Sequence, residues 1–326
     1  MSVFWAIVLL PAGIGILVKG ADWLVEGAVA LAERLGMTSL IIGLTIVAMG
    51  TSAPETAASI AAALSGSGDI AVGNVYGSNI ANLALVGGLC ACIRPIAVQR
   101  AVLRRDIPLM LAATSALWVV FFDTALTRTE ALILILFFVG ILAFMTHTER
   151  PRGRAVREVL SELESKIEHV ARAIPKSLPL SFFLIVVGLC ALAGGAHLTV
   201  LSASALGRAI GLSEAVIGLT IVAVGTSLPE MSTCLVASLK GHDDLSVGNL
   251  VGSNIFNALL VTGTAGLVKP FAISERLAGL DFWLMAGISV VFALIAFFRH
   301  RISRTAGTIL FIGYGGYLVY LFALNR

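Results

Sequence analysis

The sequence predicts an all-α integral membrane protein: ten transmembrane helices as two inverted five-helix repeats, each containing a broken helix. Three observations predict it. Hydrophobic residues make up 58% of the 326-residue chain and charged residues only 13%, against about 25% charged in soluble domains; the mean hydropathy is +0.98. A self-similarity at an offset of 175 residues runs through the chain without a gap. One polar, proline-broken acidic motif sits twice in apolar sequence, as GLTIVAMGTSAPE at 43–55 and GLTIVAVGTSLPE at 218–230.

The offset reaches well beyond that motif. Gly20-Ala21 matches Gly195-Ala196, and Gly36 matches Gly211. DIAVGNVYGSNIAN at 69–82 matches DLSVGNLVGSNIFN at 244–257. Arg94-Pro95 matches Lys269-Pro270, and Asp106, Leu109 and Met110 match Asp281, Leu284 and Met285. Residues 1–146 and 176–326 therefore hold two copies of one unit, with the repeated motif regions at 43–82 and 218–257, joined by a connector at 147–175.

At about 20 residues per crossing, the first copy spans near 3–33 (long, hence tilted), 38–64, 69–92, 105–122 and 128–146. The second repeats this near 178–209, 213–239, 244–267, 280–298 and 305–323. The first run has no small-residue cleavage site and no basic leader, and it has a counterpart inside the chain, so it reads as a span rather than a signal peptide. Five is odd, so the second copy enters the membrane from the opposite side, and a pseudo-two-fold axis in the membrane plane relates the two. With the N-terminus outside, sixteen of the 22 Lys and Arg residues fall in cytoplasmic segments. These are Arg34, Arg94, Arg100, Arg104, Arg105, seven connector residues, Lys240, Arg299, Arg301 and Arg304. This distribution satisfies the positive-inside rule. Both termini are expected to be extracytoplasmic, in the cell's inner (plasma) membrane.

The connector carries Val156, Leu160, Leu163, Ile167, Val170 and Ile174 at four-three spacing. That predicts an amphipathic helix ending at Pro175, lying on the cytoplasmic membrane surface or against the loops. The net charge of +3 is too small to suggest nucleic acid. All four cysteines lie in apolar segments and read as small packing residues.

Thr51 and Glu55 are four apart and share one helical side, with Ser52 at the flank; Thr226, Ser227 and Glu230 repeat the arrangement. Pro54 and Pro229 lack the amide hydrogen and break the helix beside each acid. Ser78 and Asn82 share a face, as do Ser253 and Asn257. A carboxylate in hydrocarbon costs several kcal/mol unless compensated. All these groups are hard oxygen donors with no histidine or thiolate among them, which disfavours zinc and copper and suits Ca²⁺, Na⁺ or Mg²⁺, although Mg²⁺ prefers to keep its waters and a dehydrating pocket suits it less. One site that two ions can use, but not together, is what exchange requires.

Plainer roles account for other repeated residues. Gly73/Gly77 and Gly248/Gly252 read as close helix packing. Asn74, Asn79, Asn249 and Asn254 read as interhelical hydrogen bonders, and Asp69 and Asp244 as helix-starting residues that cap or meet the dipole.

At these residues the chain resembles the cation/calcium exchanger superfamily, whose repeats carry Gly-Thr-Ser-x-Pro-Glu followed by Gly-Ser-Asn-Ile-x-Asn or -Asp, and most of all its prokaryotic sodium/calcium antiporters. The resemblance covers both repeats. It implies a central site of Glu55, Glu230, Thr51 and Thr226. Flanking sodium positions would draw on Ser52, Ser227, Ser78, Ser253 and the carbonyls of Ala48 and Ala223, with Asn82 and Asn257 at the middle position. Pro54 directly disconnects the carbonyl of Gly50; the use of Ala48 comes from the resemblance alone. Asn257 stands where potassium-dependent relatives have Asp, and an amide cannot ionise, so potassium is not expected to be co-transported. The resulting expectation is a Na⁺/Ca²⁺ antiporter working by alternating access in the lipid bilayer, with the two ions as substrates, no cofactor and an open oligomeric state. The rivals are an H⁺/Ca²⁺ exchanger on the same scaffold and a cation channel. An enzyme has little support, since the acids lack a neighbouring nucleophile, histidine or phosphate loop.

Overall fold

The computed structural model describes residues 2–167, 177–211 and 223–324, and the chain is helical almost throughout. In order, α1 is Val3–Leu35, α2 Ser39–Thr51, α3 Ala53–Leu64 and α4 Gly68–Ile93. They are followed by α5 (Ile107–Val120) and α6 (Arg128–Ile167). The second copy has α7 (Leu178–Ala209), the short α8 (Ala223–Thr226) and α9 (Leu228–Leu239). It ends with α10 (Asp243–Val268), α11 (Leu277–Arg299) and α12 (Arg304–Leu324). Four two-residue strands, β1 (Ile96–Ala97), β2 (Ala125–Leu126), β3 (Phe271–Ala272) and β4 (Arg301–Ile302), lie between helices.

The 175-residue offset reappears in these boundaries. The ends of α3 and α4 shifted by it give those of α9 and α10, β1 gives β3, and β2 falls one residue short of β4. The turns before α4 and α10 are built alike. Gly66 and Gly241 adopt φ of +81° and +86°, a left-handed conformation that glycine takes without a Cβ penalty. Ser67 N–H and His242 N–H then reach back five residues to the carbonyls of Ala62 and Ala237.

Six helices among the described residues are long and apolar enough to cross a membrane, or seven if the bent pair α2–α3 is one span. That is fewer than the ten expected from hydropathy, because the spans are interrupted. The α2–α3 pair bends by 45° at Ser52, α9 has only 12 residues, and part of the expected 213–239 span lies outside the described residues. Helix α5 has 14 residues and follows a π-helical turn carrying Arg104, Arg105 and Asp106. Helix α6 runs on past its apolar part to Ile167, so the connector helix begins as an extension of a span. Its expected end at Pro175 lies outside the described residues.

Helices α4 and α10 form the centre, each 78% buried over its most apolar window, against 22% for α1 and 28% for α7. They cross at a reciprocal contact. Asn79 Nδ2 donates to Asn254 O at 3.4 Å, and Asn254 Nδ2 to Asn79 O at 3.5 Å. The same amides reach Met285 and Met110 sulfurs, themselves 175 apart. A local two-fold axis passes through this crossing, as expected for interhelical asparagines.

Helices α1 and α7 pack antiparallel along a stripe of small residues. A Cβ on Gly20 would lie 2.9 Å from Leu192 N, on Gly188 2.7 Å from Leu24 N, and on Gly195 2.8 Å from Leu17 N. Their backbones touch, as small-residue stripes permit in membranes. Gly248 and Gly252 serve the expected packing role on α10, where an added Cβ would meet the Leu40 and Leu44 carbonyls at 2.6 Å. Among the described residues, a Cβ on Gly73 or Gly77 would meet nothing within 4 Å.

The loops knit the copies together. Strand β1 pairs antiparallel with β4, and β2 with β3. Asp69 and Asp244 depart from the capping role: Ser67 and His242 occupy the N-cap positions. Asp69 instead accepts from Ser274 N–H at 2.7 Å, and Asp244 from Gln99 Nε2 at 2.5 Å, so each carboxylate ties its helix start to the other copy. On α1, Asp22 pairs with Lys19 at 2.7 Å and with Lys240 beyond the end of α9.

Candidate cation site

Each broken helix turns at a serine. Ser52 has φ −85° and ψ 11°, Ser227 φ −89° and ψ 6°, and both leave the helical region before the next helix starts. Pro54 and Pro229 follow in the first turn of α3 and α9, where a missing amide costs nothing. Glu55 and Glu230 also lie in that first turn, at the positive end of a half-helix that favours an anion.

The dipole alone does not explain the burial. Both glutamates are 0% exposed, although taking one charged group out of water costs several kcal/mol. Among the described residues, neither carboxylate has a basic partner. Glu230 Oε1 accepts from Ser52 Oγ at 2.9 Å, a bond that joins the two breaks. Glu55 lies within the Coulomb field of Glu230. Two buried carboxyl groups thus lie in one neighbourhood with no basic side chain beside either among the described residues.

Several of the predicted site residues carry polar atoms with no hydrogen-bond partner among the described residues. Both Glu55 oxygens, Glu230 Oε2, Ser227 Oγ, Ser253 Oγ, Asn82 Oδ1 and both polar atoms of Asn257 are buried and unmatched. Buried polar groups are normally satisfied, and the pairs Glu55/Glu230 and Asn82/Asn257 are orphaned at repeated positions. Asn82 and Asn257 sit on the π-helical turns Ala81–Val86 and Asn257–Val261, an irregularity frequent at functional positions. Asn82 Nδ2 is held by Asn254 Oδ1 at 3.3 Å, leaving its oxygen free.

The remaining predicted residues fall around this cluster. Thr51 donates to Asn249 Oδ1 at 3.2 Å and to the Ala48 carbonyl at 3.4 Å. Thr226 ends α8 and is half-buried, while Ser78 is buried on α4 on the face of Asn82. The Ala48 carbonyl is not freed by Pro54, since it also accepts from Ser52 N–H at 3.0 Å. Helix α2 contains a π-helical turn at Gly43–Val47 and returns to α-helical bonding over Ala48–Thr51, so this carbonyl already accepts one backbone bond. Ala223 opens α8, and Ser227 N–H bonds Val224 O at 3.2 Å.

A supporting layer was only half visible in the sequence. Asn74 Nδ2 donates to Glu55 O at 3.1 Å and to Ser59 Oγ at 2.9 Å, holding the acid's backbone. The second copy uses Cys234, whose Sγ accepts from Asn249 Nδ2 at 3.3 Å. Ser59 and Cys234 occupy one repeated position with different side chains, so matching identical residues passes over them. Among the described residues no group of three or more His, Cys, Asp or Glu comes together. The negative charge of the cluster is thus supplied by the two glutamates, and every other donor is neutral.

The sequence profile of the sodium/calcium exchanger proteins matches residues 5–147 and 180–323. The chain belongs to the sodium/calcium exchanger family. Among its relatives, the putative antiporter CaxA of Alkalimonas amylolytica is 37% identical, over 98% of this chain and 99% of that one. The sodium/calcium exchanger MaX1 of Methanosarcina acetivorans is 31% identical, over 96% and 97%. The solved sodium/calcium exchanger from Methanococcus jannaschii superposes with a TM-score of 0.82 at 26% identity, covering 98% of this chain and 99% of that one. The family member described here is accordingly an all-helical membrane protein and a cation/calcium exchanger by kinship.

Proposed function

We propose that this chain is a secondary antiporter that moves Na⁺ and Ca²⁺ in opposite directions by alternating access. The observation that carries the reading is the pair of fully buried, unneutralised carboxylates, Glu55 and Glu230, ringed by orphaned hydroxyl and amide oxygens. Two carboxylates balance one Ca²⁺ or two Na⁺. The neutral oxygens of Ser52, Ser227, Ser253, Asn82 and Asn257 supply the rest of a shell that for Ca²⁺ takes about six to eight donors. Thr51, Thr226 and Ser78 complete the set, and the Ala48 and Ala223 carbonyls join it through lone pairs not used by backbone bonds. Competition for one charge-balanced site couples the two fluxes.

The ten-span inverted topology belongs to this reading. The strand pairs support it: β1 with β4 and β2 with β3 each join loops that an inverted arrangement assigns to one face. The antiparallel packing of α1 on its own counterpart α7 supports it too. With the arginine-rich β1 and β4 loops cytoplasmic, both termini are extracytoplasmic and the chain resides in the inner membrane. The backbone-close α1–α7 pair is then the body that moves against the core carrying the site.

The test is isotopic Ca²⁺ uptake into proteoliposomes under separately imposed Na⁺ and H⁺ gradients. Outward Na⁺ gradients should drive uptake, and Glu55→Gln and Glu230→Gln should each abolish it; near-normal uptake in both variants removes the site assignment. Uptake driven by a pH gradient without Na⁺ would decide for the proton-coupled rival, and uptake needing no counter-ion for a channel. Because Asn257 cannot ionise, added K⁺ should leave the rate unchanged.

A further inference from the structure

The second copy departs from its own symmetry on the lipid-facing side. A groove of about 520 Å³ lies between α11 and α12, inside the roughly 300–1,000 Å³ range of small-molecule sites. Trp283 and Gly287 line it from α11, Gly313, Gly316 and Tyr317 from α12, and Ala84 of the first π-turn forms its floor. A Cβ added at Gly287, Gly313 or Gly316 would meet nothing within 4 Å. The residues 175 positions earlier are Ala112, Phe138 and Ile141, and the counterpart of Ala84 is Leu259. Phe138 and Ile141 are buried, and the Phe138 ring packs edge-on against Phe256 at 5.7 Å. The first copy therefore fills this position with its own side chains, and the second leaves it open.

The groove is continuous with the exposed apolar belt formed by residues such as Val290, Leu294, Ile309 and Ile312. It follows α11 from Leu280 to Val291, about 16 Å at 1.5 Å per residue. That is the depth of one leaflet of a hydrocarbon core about 30 Å thick. A helix of that length and about 10 Å diameter needs more than twice the groove's volume, whereas a single hydrocarbon chain is narrow enough. Trp283 stands at the start of α11, near the β2–β3 ribbon, and stacks towards Trp118 at 6.3 Å, in the manner of aromatic rings at headgroup level.

We propose that this groove holds one acyl chain of a membrane phospholipid from the leaflet nearest the β2–β3 ribbon. The chain's end rests on Ala84, two residues from Asn82 on the same π-turn, so lipid occupancy bears on an element of the cation cluster. That coupling rests on the proposed ion exchange; the lipid site itself does not.

The experiment uses proteoliposomes containing a phosphatidylethanolamine with a photoreactive diazirine near the end of one acyl chain, and maps the labelled peptides. Label should appear on the peptide containing Ala84 as well as on 309–317. In the Gly313→Phe/Gly316→Ile variant, which restores the first copy's residues, label at Ala84 should fall about fivefold as the added side chains refill the cleft. Gly316→Ile alone is the milder variant should the double one fail to fold. The proposal is overturned by an unlabelled Ala84 peptide in the unmodified protein or by undiminished label in the filled variants. Efficient disulfide cross-linking between Ile309→Cys copies in membranes also overturns it, because a second protein copy would then occupy the groove. Labelling is read without any ion flux, so its failure is separate from failure of the exchange reading.

Discussion

Ser52 and Ser227 occupy the same turn in the two copies and do different work. The Ser52 hydroxyl donates to Glu230, while the Ser227 hydroxyl is buried with no hydrogen-bond partner among the described residues. A hydrogen bond to a charged group contributes about 1.5–3 kcal/mol. Ser52→Ala should therefore lower both the ion-free melting temperature and the Ca²⁺ affinity. Ser227→Ala removes an oxygen that has no protein partner to lose, so it should lower Ca²⁺ affinity while leaving the ion-free melting temperature unchanged. Differential scanning fluorimetry with and without Ca²⁺ separates the two, and equal melting losses in both variants would contradict the asymmetry. At this scale the glutamates, serines and asparagines were legible because they repeat. Which hydroxyl meets which carboxylate was not, since Ser52 and Glu230 are 178 residues apart. Nor was the occupation of the Ala48 carbonyl by Ser52 N–H, which depends on α-helical bonding resuming over Ala48–Thr51 after the π-turn Gly43–Val47.

At the scale of elements, two devices bring distant residues together: a helix break beside each acid and glycine contacts that let backbones touch. Gly252 belongs to the second. Its Cβ would lie 2.6 Å from Leu44 O and 2.7 Å from Leu44 Cα, and neither atom is free to move as a side-chain tip would be. Overpacking of this kind costs about 1–3 kcal/mol, so Gly252→Ala should lower the melting temperature clearly. Gly140→Ala on α6, where an added Cβ meets nothing within 4 Å, should be neutral. If the two variants melt together, α10 does not lie against α2 as described. Sequence periodicity located these elements to within a few residues, as with α7 at 178–209 and α10 at 243–268 against an expected 244–267. The break that Pro54 predicted falls at Ser52 as a 45° bend, while six or seven of the ten expected spans are long apolar helices among the described residues.

At the scale of the whole molecule, the two copies interlock through their loops as well as their helices. Ala97 pairs with Arg301, and Ala125 with Ala272, across the copies. The proposed topology makes a sidedness prediction from these pairs. Cysteines introduced at 97 and 301 should react with an impermeant maleimide from the cytoplasmic face only, and cysteines at 125 and 272 from the opposite face only. Mixed labelling within either pair would break the inverted arrangement.

The chain's own order of residues determined the duplication, the apolar character, the helix boundaries and the residue types at the repeated polar positions, because each is a local or periodic property. Tertiary structure alone decided that Asp69 and Asp244 clasp the opposite copy, that Asn254 orients Asn82, and that α11 and α12 leave a cleft where the first copy is filled. Those outcomes depend on which atoms meet across more than a hundred residues of chain, and no periodic pattern in a single segment encodes such a meeting.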